Sequence, residues 1–142
     1  MVGITVFFQL LLLVYHQVTT LVDFYPFNNI RSYALRLRSI ECIVNGVIMA
    51  IPPIGYLFQI PWMIGAAGWI YVGVTVGAWL SWYQKYVFGA TAAQQAEYDH
   101  IFRPTIQVLP DIQGRPRPNL EHVILHGILL ITLVLTWSIR FY

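Results

Sequence analysis

Charged residues are scarce in this chain. Only 10% of its 142 residues are Asp, Glu, Lys or Arg, whereas about a quarter are charged in an ordinary globular domain. Because 58% of the residues are hydrophobic, a water-soluble fold of this composition could not cover its own apolar surface. The formal net charge of +2 is too small to indicate a nucleic-acid partner. We therefore predict a protein embedded in the lipid bilayer.

Cysteine and the common catalytic motifs are also missing. Cys42 is the single cysteine, which excludes an intrachain disulfide and a CxxC redox pair, and with them a quinone-reducing thiol oxidoreductase. The sequence contains no P-loop, no Rossmann glycine pattern, no GxSxG and no HExxH, so the enzymes that depend on those motifs are excluded. No polar stripe repeats along a whole helix, which disfavours a channel formed by one chain.

Four apolar stretches are each long enough to cross a bilayer, at about residues 4–22, 40–58, 62–83 and 120–138. The first lacks the basic start and cleavage site of a secretory signal, so we expect it to be retained. Four spans and their connections use nearly all of the chain. The sequence therefore predicts an all-α fold, in which residues 1–142 form a single integral membrane domain of four transmembrane helices.

Prolines divide the rest of the chain. Pro52 and Pro53 are expected to kink or end the second helix, leaving a tight hairpin to the third helix that ends near Pro61. Thr91 is a candidate N-cap for a short interfacial helix over residues 92–102. Asn119 is a candidate N-cap for the fourth spanning helix.

Basic residues predict the orientation. The two long connections lie on the same side of a four-span chain and carry seven basic residues, namely Arg31, Arg36, Arg38, Lys85, Arg103, Arg115 and Arg117. The other side has only Arg140. Because positively charged loops stay in the cytoplasm, we expect a multi-pass cell (plasma) membrane protein with cytoplasmic long connections and both termini outside.

Polar residues from three helices share one depth. His16, Asn45 and His126 each lie about seven residues inside a helix end, which is roughly 10 Å at 1.5 Å per residue. Ionisable groups at that depth usually face the bundle interior or an aqueous cavity. We therefore expect a polar pocket in the cytoplasmic half, formed by helices 1, 2 and 4, that binds and could transform an apolar or lipid-like molecule.

Roles within this pocket follow from residue chemistry. Glu41 and His126 are the candidate catalytic groups, as acid, base or polar anchors, since a carboxyl beside histidines in a dry cavity can titrate near neutral pH. The candidate ligand-binding residues are His16, Asn45, His122 and Trp79, the last as an apolar wall. An equally simple interpretation is a local ion pair, because Arg38 lies three residues before Glu41.

Two further patterns leave alternatives open. His122 and His126 are i,i+4 neighbours that could bind a divalent metal or haem, although no cofactor is predicted because the sequence defines no third ligand. Gly73, Gly77 and Ser81 form a small-residue stripe that would let a helix approach closely, from within the chain, from a second copy or from a larger membrane complex. The alternatives to a ligand pocket are thus a non-catalytic accessory subunit and a His-ligated metal or haem protein.

The chain resembles an uncharacterised group of small bacterial four-helix membrane proteins. The likeness rests on HQVTTLVDFYPFNNIR (16–31), RSIECIVNGVIMAIPPIG (38–55), EYDHIFRPTIQVLP (97–110) and RPNLEHVILH (117–126), and it covers most of the chain. It implies a bacterial origin and a four-span topology, and no activity.

The segment YHQVTTLVD (15–23) is also similar to the EXPERA-type four-helix proteins, which include sterol isomerases and a sigma-type ligand receptor. In that family a polar patch with a buried carboxylate at the end of helix 1 serves a lipid-like ligand. The family's other acidic and tryptophan positions have no counterpart here, so the likeness is one of architecture and transfers no residue roles.

Overall fold

The computed structural model describes residues 1–139, and Arg140, the one basic residue predicted on the far side, lies outside that range. Five helices are present in the described residues, without a β-strand: α1 (Val2–Leu21), α2 (Leu35–Phe58), α3 (Pro61–Phe88), α4 (Ala92–Ile101) and α5 (Leu120–Ser138). All except α4 are long and apolar enough to cross a membrane, which confirms the all-helical, multi-pass class.

The second helix starts earlier and continues further than its prolines suggest. It begins at Leu35, about five residues before the predicted start, and passes through Pro52 and Pro53 without ending. Both prolines are fully buried against neighbouring segments. In a bundle, such packing stabilises a helix whose backbone lacks hydrogen bonds at proline, so the prolines do not terminate it.

The connection from α2 to α3 contains only two residues. Gln59 adopts a left-handed conformation with φ of 55°, and Ile60 N–H donates to the Gly55 carbonyl at 2.9 Å. Pro61 then occupies the first turn of α3, where its missing N–H costs nothing.

The four long helices form a closed ring. α1 packs on α2 and α5, and α3 packs on the same two helices. Each helix contributes one residue to the central apolar cluster, which consists of Leu12, Met49, Tyr71 and Leu129. A buried hydrogen bond from Gln9 Nε2 to Thr136 Oγ1, 3.1 Å long, joins α1 to α5.

A π-helical segment interrupts α3. The helix is α-helical from Pro61 to Ala78, π-helical over Trp79–Tyr83 and α-helical again over Gln84–Phe88. Gln84 N–H accordingly donates to the carbonyl five residues earlier, at Trp79. The wider turn rotates the side chains that follow it, and such segments often occur at functional sites.

The two long connections meet at one end of the ring. Ile106 N–H, in the second connection, donates to the Pro26 carbonyl in the first at 3.0 Å. As predicted, Thr91 is the N-cap of α4, with a capping box to Gln94, and Asn119 Oδ1 caps α5 by accepting from His122 N–H. These caps fix both helices at the end of the bundle where the polar residues gather.

Candidate functional site

Two adjoining cavities lie towards the end of the bundle where the long connections meet. The first, of about 470 Å³, is here called the polar chamber and lies under α4; its lining includes Thr19, Asn28, Tyr33, Lys85, Glu97, Tyr98 and Glu121. The second, of about 460 Å³, is the apolar chamber between the helices; its lining includes Leu12, Ile48, Met49, Trp69, Gly73, Gly77, Leu125 and Leu129. Both are lined by Glu41, Asn45, Ser81, Trp82 and His122, so they adjoin at these five residues.

One side of this junction is a hydrogen-bonded group from α1 and α2. His16 Nε2 lies 3.2 Å from Asn45 Nδ2 and 3.9 Å from Glu41 Oε1. His16 is buried, whereas the Glu41 side chain is 40% exposed. The predicted ion pair between Arg38 and Glu41 is not formed in the described part of the chain, and Glu41 contacts His16 instead.

Tyr33 completes this side from the connection between α1 and α2. Its hydroxyl group faces the Glu41 carboxyl group closely enough to interact with it. Burial, with a further contribution from Glu41, raises the pKa of Tyr33 to about 12. The phenol therefore keeps its proton at neutral pH and is available as a donor to Glu41.

The opposite side of the junction comes from α3 and α5. His122 Nδ1 lies 2.6 Å from the capping Asn119 Oδ1, and His126 Nδ1 lies 3.2 Å from the Tyr83 hydroxyl. The Trp82 ring lies against His122, with centroids 4.1 Å apart. Each imidazole is thus oriented through Nδ1, while Nε2 is left for other interactions.

These contacts do not make a metal site. The His122 and His126 rings are 6.0 Å apart, but within residues 1–139 no group of three or more His, Cys, Asp or Glu side chains could hold a metal ion. His16 lines the same apolar chamber, yet its Nε2 is engaged by Asn45. A metal site with three protein ligands is therefore not formed in the described residues, whereas a haem held by one or two histidines stays a prediction.

All the candidate residues except Trp79 line a chamber. His16, Glu41, Asn45, His122 and His126 line the apolar chamber, and Glu41, Asn45 and His122 also line the polar one. Trp79 lines neither and stacks on Tyr83 instead, with ring centroids 5.9 Å apart. Trp82, three residues later on the same helix, lines both chambers in its place.

The glycine stripe does not serve close helix packing within the described chain. A Cβ atom added to Gly73 or Gly77 would meet nothing within 4 Å, apart from its own helix backbone and chain neighbours. Both glycines line the apolar chamber, where the absence of a side chain leaves space. Of the alternatives left open for the stripe, an internal helix neighbour is therefore wrong.

Three residues at this site had not been singled out as site residues. Tyr33 lies in a connection, where no periodicity indicates which side chains point inward. Trp82 continues the i,i+4 row of Ile70, Val74 and Ala78 that lines the apolar chamber, and this spacing was the available signal. Glu121 is 8% exposed and lines the polar chamber; its position in the first turn of a spanning helix was the available signal.

Comparison with protein-family models, with curated proteins and with solved structures finds no match to this chain. No family is assigned. The functional interpretation therefore depends on the two chambers and the residues where they adjoin.

Proposed function

We propose that this integral membrane protein binds an apolar or lipid-like small molecule where the two chambers adjoin. The observation that carries the proposal is the amphipathic cavity: an apolar chamber at the depth of the spanning helices adjoins a polar chamber at Glu41, Asn45 and His122. Volumes of about 460 and 470 Å³ fall within the range of roughly 300–1,000 Å³ for small-molecule sites.

Each polar group has a role in this proposal. Glu41 and His126 act as the polar anchors, and as acid and base if the bound molecule is transformed, because they line the apolar chamber from different helices. His16 and Tyr33 position the Glu41 carboxyl group, and Asn45 in turn orients His16. Trp82 takes the wall position that was predicted for Trp79.

The proposal includes an orientation in the plasma membrane. The long connections and α4 lie at the cytoplasmic interface, and the termini and the tight hairpin between α2 and α3 lie outside. Its support is the set of seven basic residues at this end of the bundle, four in the two connections and three in the adjoining ends of α2 and α3, together with the hydrogen bond that joins the connections. The chambers consequently open towards the cytoplasmic half of the bilayer.

Glu41→Gln and His126→Ala test the binding site. The full chain is purified in mild detergent, and its retained amphiphiles are measured by native mass spectrometry, with Asp99→Asn on the exposed face of α4 as the control. A hydrogen bond to a charged group contributes about 1.5–3 kcal/mol, so each site variant should lower the affinity by roughly 10- to 150-fold and reduce the retained ligand accordingly. Unchanged occupancy in both variants, with the fold retained, contradicts the proposal.

A second candidate function is that of an accessory subunit in a larger membrane complex. The observation that favours it is the Gly73 and Gly77 face of α3, which no helix of the described chain approaches closely. The same native mass spectrum separates the two candidates. A hetero-complex with other proteins supports the accessory role, whereas a monomer or homo-oligomer that carries an amphiphile supports the ligand pocket.

A further inference from the structure

The walls of the apolar chamber differ in exposure. On the α1 and α5 side, Leu12 and Leu129 are 1% and 2% exposed. On the α2 and α3 side, Ile48 is 37% exposed, Trp69 is 65% exposed and Gly73 is also exposed. Because these residues belong to spanning helices, the chamber opens between α2 and α3 towards the hydrocarbon of the bilayer.

The α3 wall forms a continuous groove. Trp69, Gly73, Gly77 and Ser81 recur at every fourth position and all line the chamber. At 1.5 Å per residue these positions span about 18 Å along the helix axis. The two glycines leave space in the middle of the groove, and Ser81 marks its end at the polar junction.

The polar end of the cavity carries acidic rather than basic groups. Among the lining residues of the polar chamber, all within the described chain, three are carboxylic acids, Glu41, Glu97 and Glu121, and Lys85 is the one cation. A phosphate head would be repelled by this set and would find no arginine to pair with. A head that donates hydrogen bonds would find carboxyl oxygens as acceptors.

We propose that the occupant is a single-chain amphiphile with a non-anionic, hydrogen-bond-donating head, and that it enters from the bilayer between α2 and α3. Its chain lies in the groove from Trp69 to Ser81, and its head lies at Glu41 and Asn45. This inference rests on the proposed function and specifies the ligand class. A volume of about 460 Å³, in the lower part of the usual range of roughly 300–1,000 Å³, suits one chain better than a two-chain phospholipid.

Filling the groove tests the inference. Gly73→Leu and Gly77→Leu place side chains in the chamber, and Gly127→Leu is the matched control, because that spanning-helix glycine also has open space around its Cβ but lines neither chamber. The purified full chain in nanodiscs is titrated with dodecanol and with dodecyl phosphate, and tryptophan emission reports binding through Trp69 and Trp82 on the wall.

We expect saturable binding of dodecanol to the unmodified protein and to Gly127→Leu, with an affinity about tenfold lower in the two groove variants. Dodecyl phosphate should bind the unmodified protein about tenfold more weakly than dodecanol. Circular dichroism verifies the fold of each variant, and Gly73→Val, a smaller filling, replaces a leucine variant that fails to fold, with the same expectation.

The contrary outcomes overturn different parts of the inference. Groove variants that bind dodecanol like Gly127→Leu overturn the chain position, and equal binding of the phosphate overturns the head chemistry. Glu41→Gln, measured in the same assay, separates this inference from the proposed function. If Glu41→Gln alone weakens binding, only the groove is wrong; if no variant weakens binding, the ligand site itself is wrong.

Discussion

Asn28 is a single side chain that holds the end of α1 beside the polar chamber. Its Nδ2 donates to the carbonyl groups of Thr19 and Val22, both at 2.9 Å, and its Oδ1 accepts from Phe24 N–H at 2.7 Å. The last carbonyls of a helix have no intrahelical donors, so a buried helix end needs partners of this kind. Asn28 is 2% exposed, so these bonds are largely shielded from water in the folded protein.

Asn28→Ala should therefore lower the free energy of unfolding by about 1.5–4.5 kcal/mol, the sum of three hydrogen bonds at about 0.5–1.5 kcal/mol each. Asn29→Ala is the control, because the Asn29 side chain donates one bond, to the Ile101 carbonyl at 3.1 Å. Unfolding by SDS in mixed micelles, followed by circular dichroism, measures both variants. Equal losses in the two variants would show that Asn28 does not hold the helix end.

The residues that meet at the chamber junction were partly predictable. Counting residues from the helix ends placed His16 and Asn45 at one depth, and the structure puts them 3.2 Å apart. Depth alone cannot show which atoms touch. The partner of Glu41 illustrates this. Spacing along α2 favoured Arg38, but the packing of α1 on α2 places His16 next to the Glu41 carboxyl group. Tyr33 approaches the same carboxyl group from the connection between these helices.

At the scale of elements, the closest approach of α2 to α3 depends on Gly55. A Cβ added to Gly55 would lie 2.5 Å from Met63 Cβ and 3.1 Å from the Ile64 backbone nitrogen. Neither atom is the end of a flexible side chain, so the helices would have to separate. The two-residue connection through Gln59 and Ile60 limits that separation.

Gly55→Ala should consequently destabilise the protein by about 1–3 kcal/mol, the usual cost of overpacking. Gly127→Ala, where the added methyl group meets nothing within 4 Å, should instead be neutral or stabilising by up to about 1 kcal/mol through helix propensity. The midpoints of SDS unfolding compare the two substitutions. A stabilising Gly55→Ala would contradict the close approach of these helices.

The helices themselves were largely predictable because length and hydropathy decide whether a segment spans a bilayer. The caps at Thr91 and Asn119 were also predictable, since each depends on a few adjacent residues. The passage of α2 through Pro52 and Pro53, and the π-helical turn at Trp79–Tyr83, depend on packing between helices. Such packing is absent from local sequence patterns, and the two chambers depend on it as well.

At the scale of the whole molecule, polarity changes along the bundle axis. The α2 helix, with 24 residues, is about 36 Å long, which exceeds the hydrocarbon thickness of about 30 Å. Its first turns carry Arg36, Arg38 and Glu41, and its other end joins α3 through an uncharged turn. The chambers and the basic residues lie at the same end of the bundle, where the long connections meet. The orientation of the chain in the membrane therefore decides on which side of the bilayer the chambers lie.

Cysteine labelling tests that orientation. Cys42 is the chain's single cysteine, so Cys42→Ser provides a background without thiols. Gln59→Cys then marks the turn between α2 and α3, and Ala93→Cys marks α4; both native residues are exposed. With positively charged connections retained in the cytoplasm, a membrane-impermeant maleimide should label Gln59→Cys in intact cells and Ala93→Cys only after permeabilisation. The reverse pattern would place the polar chamber outside, where its ligand would come from the outer leaflet.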